Sequence, residues 1–280
     1  MKNVSIAIIG SINLDIVARV CEFPQPGETV TNAVVTRFPG GKGANQAIAA
    51  HRLGASVYMV GRVGDDPLAE EALQALRSEG VDLSYCKPLR GFSTGLAMII
   101  VNKSGENQIV VAPGANAAFD AGHLDVPRTD ASIAQLEIPF ETILKAAREG
   151  NNFFCLNAAP AKPVPHEILE HVDLLVVNEI EARTLGGELR SYRGLLATTY
   201  GGRGAVLSRN GQQIASAKPP KVKVVDTTGA GDAFTAALTV ALVSGMAPQE
   251  ALDRACVVGA LATTKMGAQS SPTLQELQEL

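Results

Sequence analysis

The four cysteines, Cys21, Cys86, Cys155 and Cys256, lie far apart and form no CxxC pair, so spacing supports neither a zinc site nor a disulfide framework. Histidine is equally sparse: His51, His123, His166 and His171 are scattered, and none adjoins a Ser or Cys in a nucleophile motif, which leaves triad hydrolysis without support. Positive charge is not in excess. With 24 Lys and Arg against 28 Asp and Glu the net charge is -4, and no cationic cluster offers a groove for nucleic acid. Long apolar runs are missing too. The opening MKNVSIAIIGSINLDIV carries one Lys and an apolar patch too short for a signal segment or a membrane span, and a cytoplasmic protein is expected. Two phosphate-binding signatures are also lacking. GSINLD after the first apolar run has no GxGxxG spacing, which sets aside a dinucleotide-dependent dehydrogenase, and no GxxxxGK[ST] loop is present.

What is present is ordinary globular composition, 46% apolar and 19% charged, over a length that suits one main domain spanning 1–280. The apolar runs VSIAIIG, ASVYMVG, NNFFCLN and DLLVVNE alternate with helical spacing over 42–53, 66–79, 139–149 and 248–266. That alternation predicts βαβ units and a doubly wound parallel sheet covered by helices. Residues 16–37 and 93–112 break the pattern. The second reads as two strands around a turn at Asn102–Asn107 with Ser104 and Gly105 as turn residues, so a small β lid or an edge hairpin is expected. The Pro-rich 159–167 reads as a short αβ connection.

The segment VVDTTGAGDAFTAALTVALVSG at 224–245 carries the most chemistry. A β-branched strand is expected to run into Gly229, Ala230 and Gly231, followed by a long apolar helix opening at Asp232. Small residues let backbone N–H groups at a helix start approach an anion, and the helix dipole favours negative charge there. Asp232 is then either a capping carboxylate or a base that takes the proton of an attacking hydroxyl while the amides of 229–232 stabilise phosphoryl oxygens. The three small residues before it favour the base. The second segment, FPGGKGANQAIAAHRLGA at 38–55, again opens a helix on glycines and displays Lys42 and Asn45 beside backbone that a polyol could approach.

At these segments the chain resembles the ribokinase (PfkB) family of carbohydrate kinases, with GGKGAN and DTTGAGDAF similar to that family's two signatures in order and separation. The resemblance implies an α/β fold: a Rossmann-like αβα layer domain, its central sheet mainly parallel, with a small β-sheet lid. It implies transfer of the γ-phosphoryl group of ATP to a sugar hydroxyl, D-ribose giving ribose 5-phosphate, with Asp232 as base and Gly229, Ala230 and Gly231 in the anion hole.

Further roles follow from the resemblance, residue by residue. Asn13 and Asp15 of GSINLD, Gly41, Lys42, Gly43 and Asn45, Glu137 of AQLEIP and Asp232 would bind the sugar. Asn178 of NEIEA, Thr199, Gly201, Gly202 and Gly204 of TTYGGRG, Gly231 and Cys256 would bind the nucleotide. Glu181 would organise Mg2+ largely through water, as one carboxylate can; without the resemblance it reads as a solvated helix residue. Asp226, Thr228, Ala262, Lys265, Gly267 and Ser271 match the family's K+ site, mostly through backbone carbonyls. A homodimer through the lid is implied as well. One departure stands out: only Arg183–Thr198 separate NEIEA from TTYGG, so the helix there must be short or missing. Another PfkB sugar or nucleoside kinase, or a non-catalytic sugar-binding protein of the same fold, are the alternatives.

Overall fold

The computed structural model describes residues 4–150 and 153–279. In chain order the elements are β1 (Ser5–Ile9), β2 (Asn13–Arg19), β3 (Val34–Gly40), α1 (Lys42–Arg52), β4 (Ser56–Gly64), α2 (Leu68–Glu79), β5 (Cys86–Leu89), β6 (Gly95–Val101), β7 (Asn107–Ala112), β8 (Ala131–Gln135) and α3 (Phe140–Glu149). They continue with β9 (Phe154–Asn157), α4 (His166–Leu169), β10 (Leu174–Asn178), α5 (Glu179–Leu185), α6 (Glu188–Ser191), β11 (Leu195–Thr199), β12 (Ala205–Arg209), β13 (Gln212–Ala217), α7 (Ala230–Val243), α8 (Pro248–Ala262) and α9 (Leu274–Gln278).

The main sheet runs β13-β12-β11-β10-β9-β8-β1-β4-β5, parallel from β11 to β5, with β12 and β13 antiparallel at one edge. Its inner strands β1, β8, β9 and β10 are buried on both faces, so they read as continuous apolar runs. Along β1 the period of two sends Ile6 and Ile8 into a core shared with α1, α2, α7 and α8. Ala7 and Ile9 enter the opposite core, with α3, α4 and α5. This is the doubly wound αβα sandwich that the alternation predicts. Residues 151 and 152 of the expected NNFFCLN strand, and the first three of the chain, lie outside the described residues.

The two regions that broke the alternation pair with each other in a second sheet, β3-β2-β6-β7. The β6–β7 turn is built as its residues suggest: Asn102 Oδ1 accepts from the amides of Ser104 and Glu106, and Gly105 takes φ of 84°.

Three expectations need correction. Residues 224–228 are not a strand. Val225 and Asp226 donate their amides to the Thr263 carbonyl at the end of α8, so this segment is tied to a helix terminus instead of a sheet. The helix after it opens at Ala230, which places Asp232 inside its first turn. The Pro-rich 159–167 joins β9 to α4 and is therefore a βα connection. The shortened stretch after NEIEA does hold a helix, α6, of four residues, followed by β11 in regular parallel register with β10.

Candidate active site

In the sheet order the chain steps outward from β1 to β4 on one side and later to β8 on the other, so β1 and β8 flank the topological switch point. Loops there splay apart and leave a crevice at the carboxyl ends of the strands. Residues 10–13 leave β1 at this point, Glu137 leaves β8, and the N-termini of α1 and α7 point at the same place.

The start of α1 is tied to the β1 loop and to Glu137, the Ala44 amide donating to the Ser11 carbonyl at 3.0 Å. Ser11 Oγ donates to Glu137 Oε2 at 2.5 Å, and the Lys42 and Gly43 amides donate to Glu137 Oε2 and Ser11 Oγ at 3.2 and 3.3 Å. This packing decides the glycines. At Gly41, φ is 90° and a Cβ would stand 2.8 Å from the Asn13 amide nitrogen and the Ser11 carbonyl; at Gly43 it would stand 2.7 Å from Ser11. The GGKG glycines thus serve the seating of α1 on the β1 loop. Asn13 is buried and its Oδ1 accepts from Asn116 Nδ2 at 2.8 Å, while Asn116 also bonds both backbone polar groups of Ile12.

Charges converge around the crevice. Burial, and secondarily Glu137, push the Asp15 carboxyl up to about 6. The Lys42 ammonium is held above its ordinary value chiefly by Asp232, against a burial penalty, with Glu137 and Glu181 adding to the effect. Asp232 is buried, and each of its oxygens accepts from a side-chain amide: Oδ2 from Asn45 Nδ2 at 2.9 Å, Oδ1 from Gln46 Nε2 at 3.0 Å. Asn45 Oδ1, also buried, has no hydrogen-bond partner among the described residues. An orphan acceptor in a buried polar cluster calls for a donor from outside the chain, and a ligand hydroxyl is one.

Asp232 occupies the third position of α7, behind Ala230 and Gly231, whose amides have no acceptor within the helix. The turn into α7 is made by Gly229 at φ of 77°, where a Cβ would lie 2.0 Å from the Ala268 carbonyl oxygen. A Cβ on Gly231 would meet nothing within 4 Å. The head of α7 is therefore closed toward the 267–268 loop and open toward the crevice, which is the geometry of an anion cradle.

Of the six residues matched to a monovalent-cation site, Asp226, Thr228 and Gly267 are joined by hydrogen bonds beside this turn. Asp226 Oδ1 accepts from the Thr228 amide and hydroxyl, its Oδ2 accepts from the Gly267 amide at 3.0 Å, and these bonds together hold its carboxyl below the usual range despite burial. The Ala262 and Ser271 carbonyls accept from Ser270 Oγ and Arg52 Nη1, each at 2.8 Å or less, and Lys265 pairs with Glu276. Ser271 Oγ is buried without a partner among the described residues. Carboxylate, carbonyl and an unpaired buried hydroxyl are hard oxygen donors, and they suit a cation such as K+.

At the next strand ends, parallel pairing of Asn178 with Thr199 sets the two expected nucleotide segments side by side. Asn178 caps α5, its Oδ1 accepting from the Ile180 and Glu181 amides. Glu181 Oε2 returns the bond by accepting from the Asn178 amide at 2.7 Å. Glu181 is 7% exposed, so the solvated-residue reading fails; burial pushes its carboxyl up, and the field of Lys42 opposes this. No cluster of three or more metal-ligating side chains occurs among the described residues. As a buried carboxylate at the strand ends, Glu181 would suit Mg2+ as a single protein carboxylate. Beyond Thr199, Gly201 and Gly202 face open space in a 3-10 turn and Gly204, at φ of 106°, closes it with a bond from the Tyr200 amide to its carbonyl. Cys256 is buried on α8, just past this turn; burial pushes its thiol up to about 11, against a bond from the Ala205 backbone, so it forms a neutral part of the wall.

Sequence reasoning missed Ser11, Gln46, Asn116, Gln135 and Asn157. For Gln46, Gln135 and Asn157 a signal exists: each is a polar side chain inside an apolar helix face or strand run, where an unsatisfied amide is costly.

A switch-point crevice with two helix N-termini aimed into it, one headed by a buried carboxylate, defines a phosphoryl-transfer fold of the carbohydrate-kinase class, and the sequence profile of the pfkB family carbohydrate kinases matches residues 3–274. The chain belongs to that family. It is 38% identical to a ribokinase of Bacillus subtilis over 100% of this chain and 99% of that one. Its fold is similar to the crystal structure of a ribokinase from Thermotoga maritima (TM-score 0.90, 32% identity, 99% and 98% of the two chains covered). It is similar as well to an Arabidopsis thaliana ribokinase complexed with ribose and ATP (TM-score 0.88, 28% identity, 99% and 98% covered).

Proposed function

We propose that this chain is a ribokinase, phosphorylating the 5-hydroxyl of D-ribose with ATP, and that Asp232 is its base. The observation that carries the reading is the position of the Asp232 carboxylate, in the first turn of α7 and 2.9 Å from Asn45 on α1. A hydroxyl seated there is within reach of a proton acceptor on one side and of the Gly231 and Asp232 amides at the start of α7 on the other, the Ala230 amide being taken by the Thr227 carbonyl at 3.3 Å. Asn13, Asp15, Lys42, Asn45 and Glu137 surround the sugar, with Gly41 and Gly43 shaping the wall. The orphan Asn45 oxygen and the half-buried Asp15 carboxylate accept from its hydroxyls. Lys42, held charged by three carboxylates, offsets negative charge as the phosphoryl group arrives. ATP lies over Asn178, Thr199, Gly201, Gly202 and Gly204, against the Cys256 wall.

Glu181 would hold Mg2+ through its water shell, and the ion would supply neutralisation of phosphate charge. Asp226, Thr228, Ala262, Lys265, Gly267 and Ser271 would hold K+, which would supply positive charge beside the turn into α7. The chain 1–280 acts as one kinase domain, with lid strands from about 16–37 and 93–112, in the cytoplasm, where four free cysteines, Cys21 exposed, stay reduced. No described helix is long and apolar enough to cross a membrane.

Two copies pair through the lid. Val34 and Val35 on β3, Met98 on β6 and Ile109, Val110 and Val111 on β7 are exposed apolar residues of one small sheet, and β3 and β7 are its open edges. Light scattering at assay concentration should give twice the monomer mass; a monomer removes this proposal.

The deciding experiment is ADP release with Mg-ATP across ribose, deoxyribose, fructose, nucleosides and fructose phosphates, each with and without K+. Ribose-dependent turnover raised by K+ is expected. Turnover with a different acceptor would keep the mechanism and move the specificity. None from folded protein would overturn the kinase reading in favour of a sugar-binding protein.

A further inference from the structure

Three buried side chains, Gln46, Gln135 and Asn157, lie behind Asp232 on the side of Oδ1. Gln46, on α1, is fully buried, and its Nε2 donates both to Asp232 Oδ1 at 3.0 Å and to Asn157 Oδ1 at 3.1 Å. Its other end, Oε1, accepts from Gln135 Nε2 at 2.6 Å, and Gln135, at the end of β8, is also fully buried. Room for the Gln135 amide is made by Gly10: a Cβ there would stand 1.9 Å from Gln135 Oε1. The Asn157 Nδ2 reaches back to the Val176 carbonyl at 3.4 Å, which keeps its oxygen turned toward Gln46. Sheet and helix thus converge on a single primary amide.

A glutamine amide has two ends of nearly equal size and opposite polarity. Were Gln46 turned over, its carbonyl oxygen would face the Asp232 carboxylate and its NH2 would face another NH2, two repulsions between buried groups. The Asn157 acceptor, held by the Val176 carbonyl, forbids that orientation, and the Gln135 donor bonds the end of Gln46 that remains. From this geometry we infer that Gln46 is a positioning residue for the proposed base, with Asn157 setting its polarity and Gln135 holding its far end. The reading rests on Asp232 being that base. Gln46 holds Oδ1 and Asn45 holds Oδ2, so the carboxylate plane is fixed before any substrate enters and the second lone pair of Oδ2, on the crevice side with Asn45, is aimed to take the substrate proton.

Replacing Gln135 by Glu gives a test that a purely structural role would not satisfy. Protonated, the new carboxyl can still donate to Gln46 Oε1; ionised, it presents only acceptors and turns Gln46 over. Burial raises the pKa of such a carboxyl, so the change falls at accessible pH. The ratio of Gln135→Glu kcat to wild-type kcat should therefore be near one at the acidic end of the range and fall about 10- to 100-fold as pH rises, through a single ionisation. Gln46→Met, which keeps length and removes the donor, should lower kcat by a similar factor at all pH values, with KM for sugar and for ATP within about threefold of wild type. A pH-independent ratio in folded Gln135→Glu protein, or wild-type kcat in folded Gln46→Met protein, overturns the inference. Asp232→Asn separates the two readings: if that variant turns over normally the base assignment itself is wrong, whereas its inactivity beside fully active Gln46 and Gln135 variants sinks the positioning role alone.

Discussion

Asn45 and Asp232, 187 residues apart in sequence, meet at 2.9 Å across the crevice between α1 and α7. Each helix opens on glycines that its neighbour loop requires, so the contact is set by backbone packing at both ends. The pair joins a group that reads the sugar to the group that takes its proton.

Removing the proton acceptor while keeping its shape isolates the chemical step. Asp232→Asn should lower kcat by about 10²- to 10⁴-fold, the range for loss of a general base, while ribose affinity measured by calorimetry changes little. The new amide can offer its oxygen to only one of Asn45 Nδ2 and Gln46 Nε2, so a modest fall in melting temperature should accompany the loss of kcat. Near-normal turnover would reassign the base.

The glycines before Asp232 should separate by phenotype. Gly229→Ala puts a methyl 2.0 Å from the Ala268 oxygen at a left-handed φ, so the melting temperature and kcat should both fall. Gly231→Ala meets no atom within 4 Å and sits in a helix, where Ala is the better former, so the melting temperature should hold or rise. Its methyl enters the space where the phosphoryl group must lie, and turnover should still drop at least tenfold. Thermal melts beside ADP-release assays distinguish the two, and equal stability losses would show that the crevice is not where the anion sits.

Asp15 ties affinity to pH. With its carboxyl raised to about 6 by burial first and Glu137 second, the folded protein holds this proton more tightly than the unfolded chain, whose ordinary value is 3.8. The stability contributed by this group is full below 3.8 and is lost as pH rises through about 6. Asp15→Asn should therefore raise the melting temperature at pH 7.5 by about 2–4 °C, the shift that ~1 kcal/mol gives a chain of this size. The same variant should weaken ribose binding, and wild-type affinity should fall as the buffer is taken below pH 6. A wild-type affinity flat between pH 5 and 7 would remove Asp15 from the sugar contacts.

Glu181 touches no predicted sugar residue by hydrogen bond, and its carboxylate is half of the α5 cap. Glu181→Gln should raise the Mg2+ concentration needed for half-maximal rate by about 10- to 100-fold, as loss of an outer-shell carboxylate does. The amide oxygen can still accept from the Asn178 backbone, which protects stability. An unchanged Mg2+ dependence would assign Glu181 to capping alone.

Periodicity alone told where most strands and helices fall, because an apolar run bounded by Gly, Asn or Asp has few other places to go in a doubly wound sheet. It failed at 224–228, where β-branched residues suggest a strand but the available partners are carbonyls at a helix end. It failed again at Glu181, which looks like any exposed helical carboxylate until the cap folds it inward. Local chemistry made the glycine loops, Lys42, Asn45 and Asp232 legible, since small residues followed by a carboxylate at a helix start have a specific use. The short α6 also follows from simple spacing between NEIEA and TTYGG.

Tertiary structure alone decided which groups meet. Gln46, Gln135, Asn157, Ser11 and Asn116 are polar residues scattered among apolar ones in sequence, and only the strand order that brings β1 beside β8 and α1 beside α7 makes them partners of the site. Sequence carries the periods and the turns because they arise from interactions between near neighbours along the chain. Hydrogen-bond partners a hundred residues distant depend on register and packing angle, which no local pattern encodes.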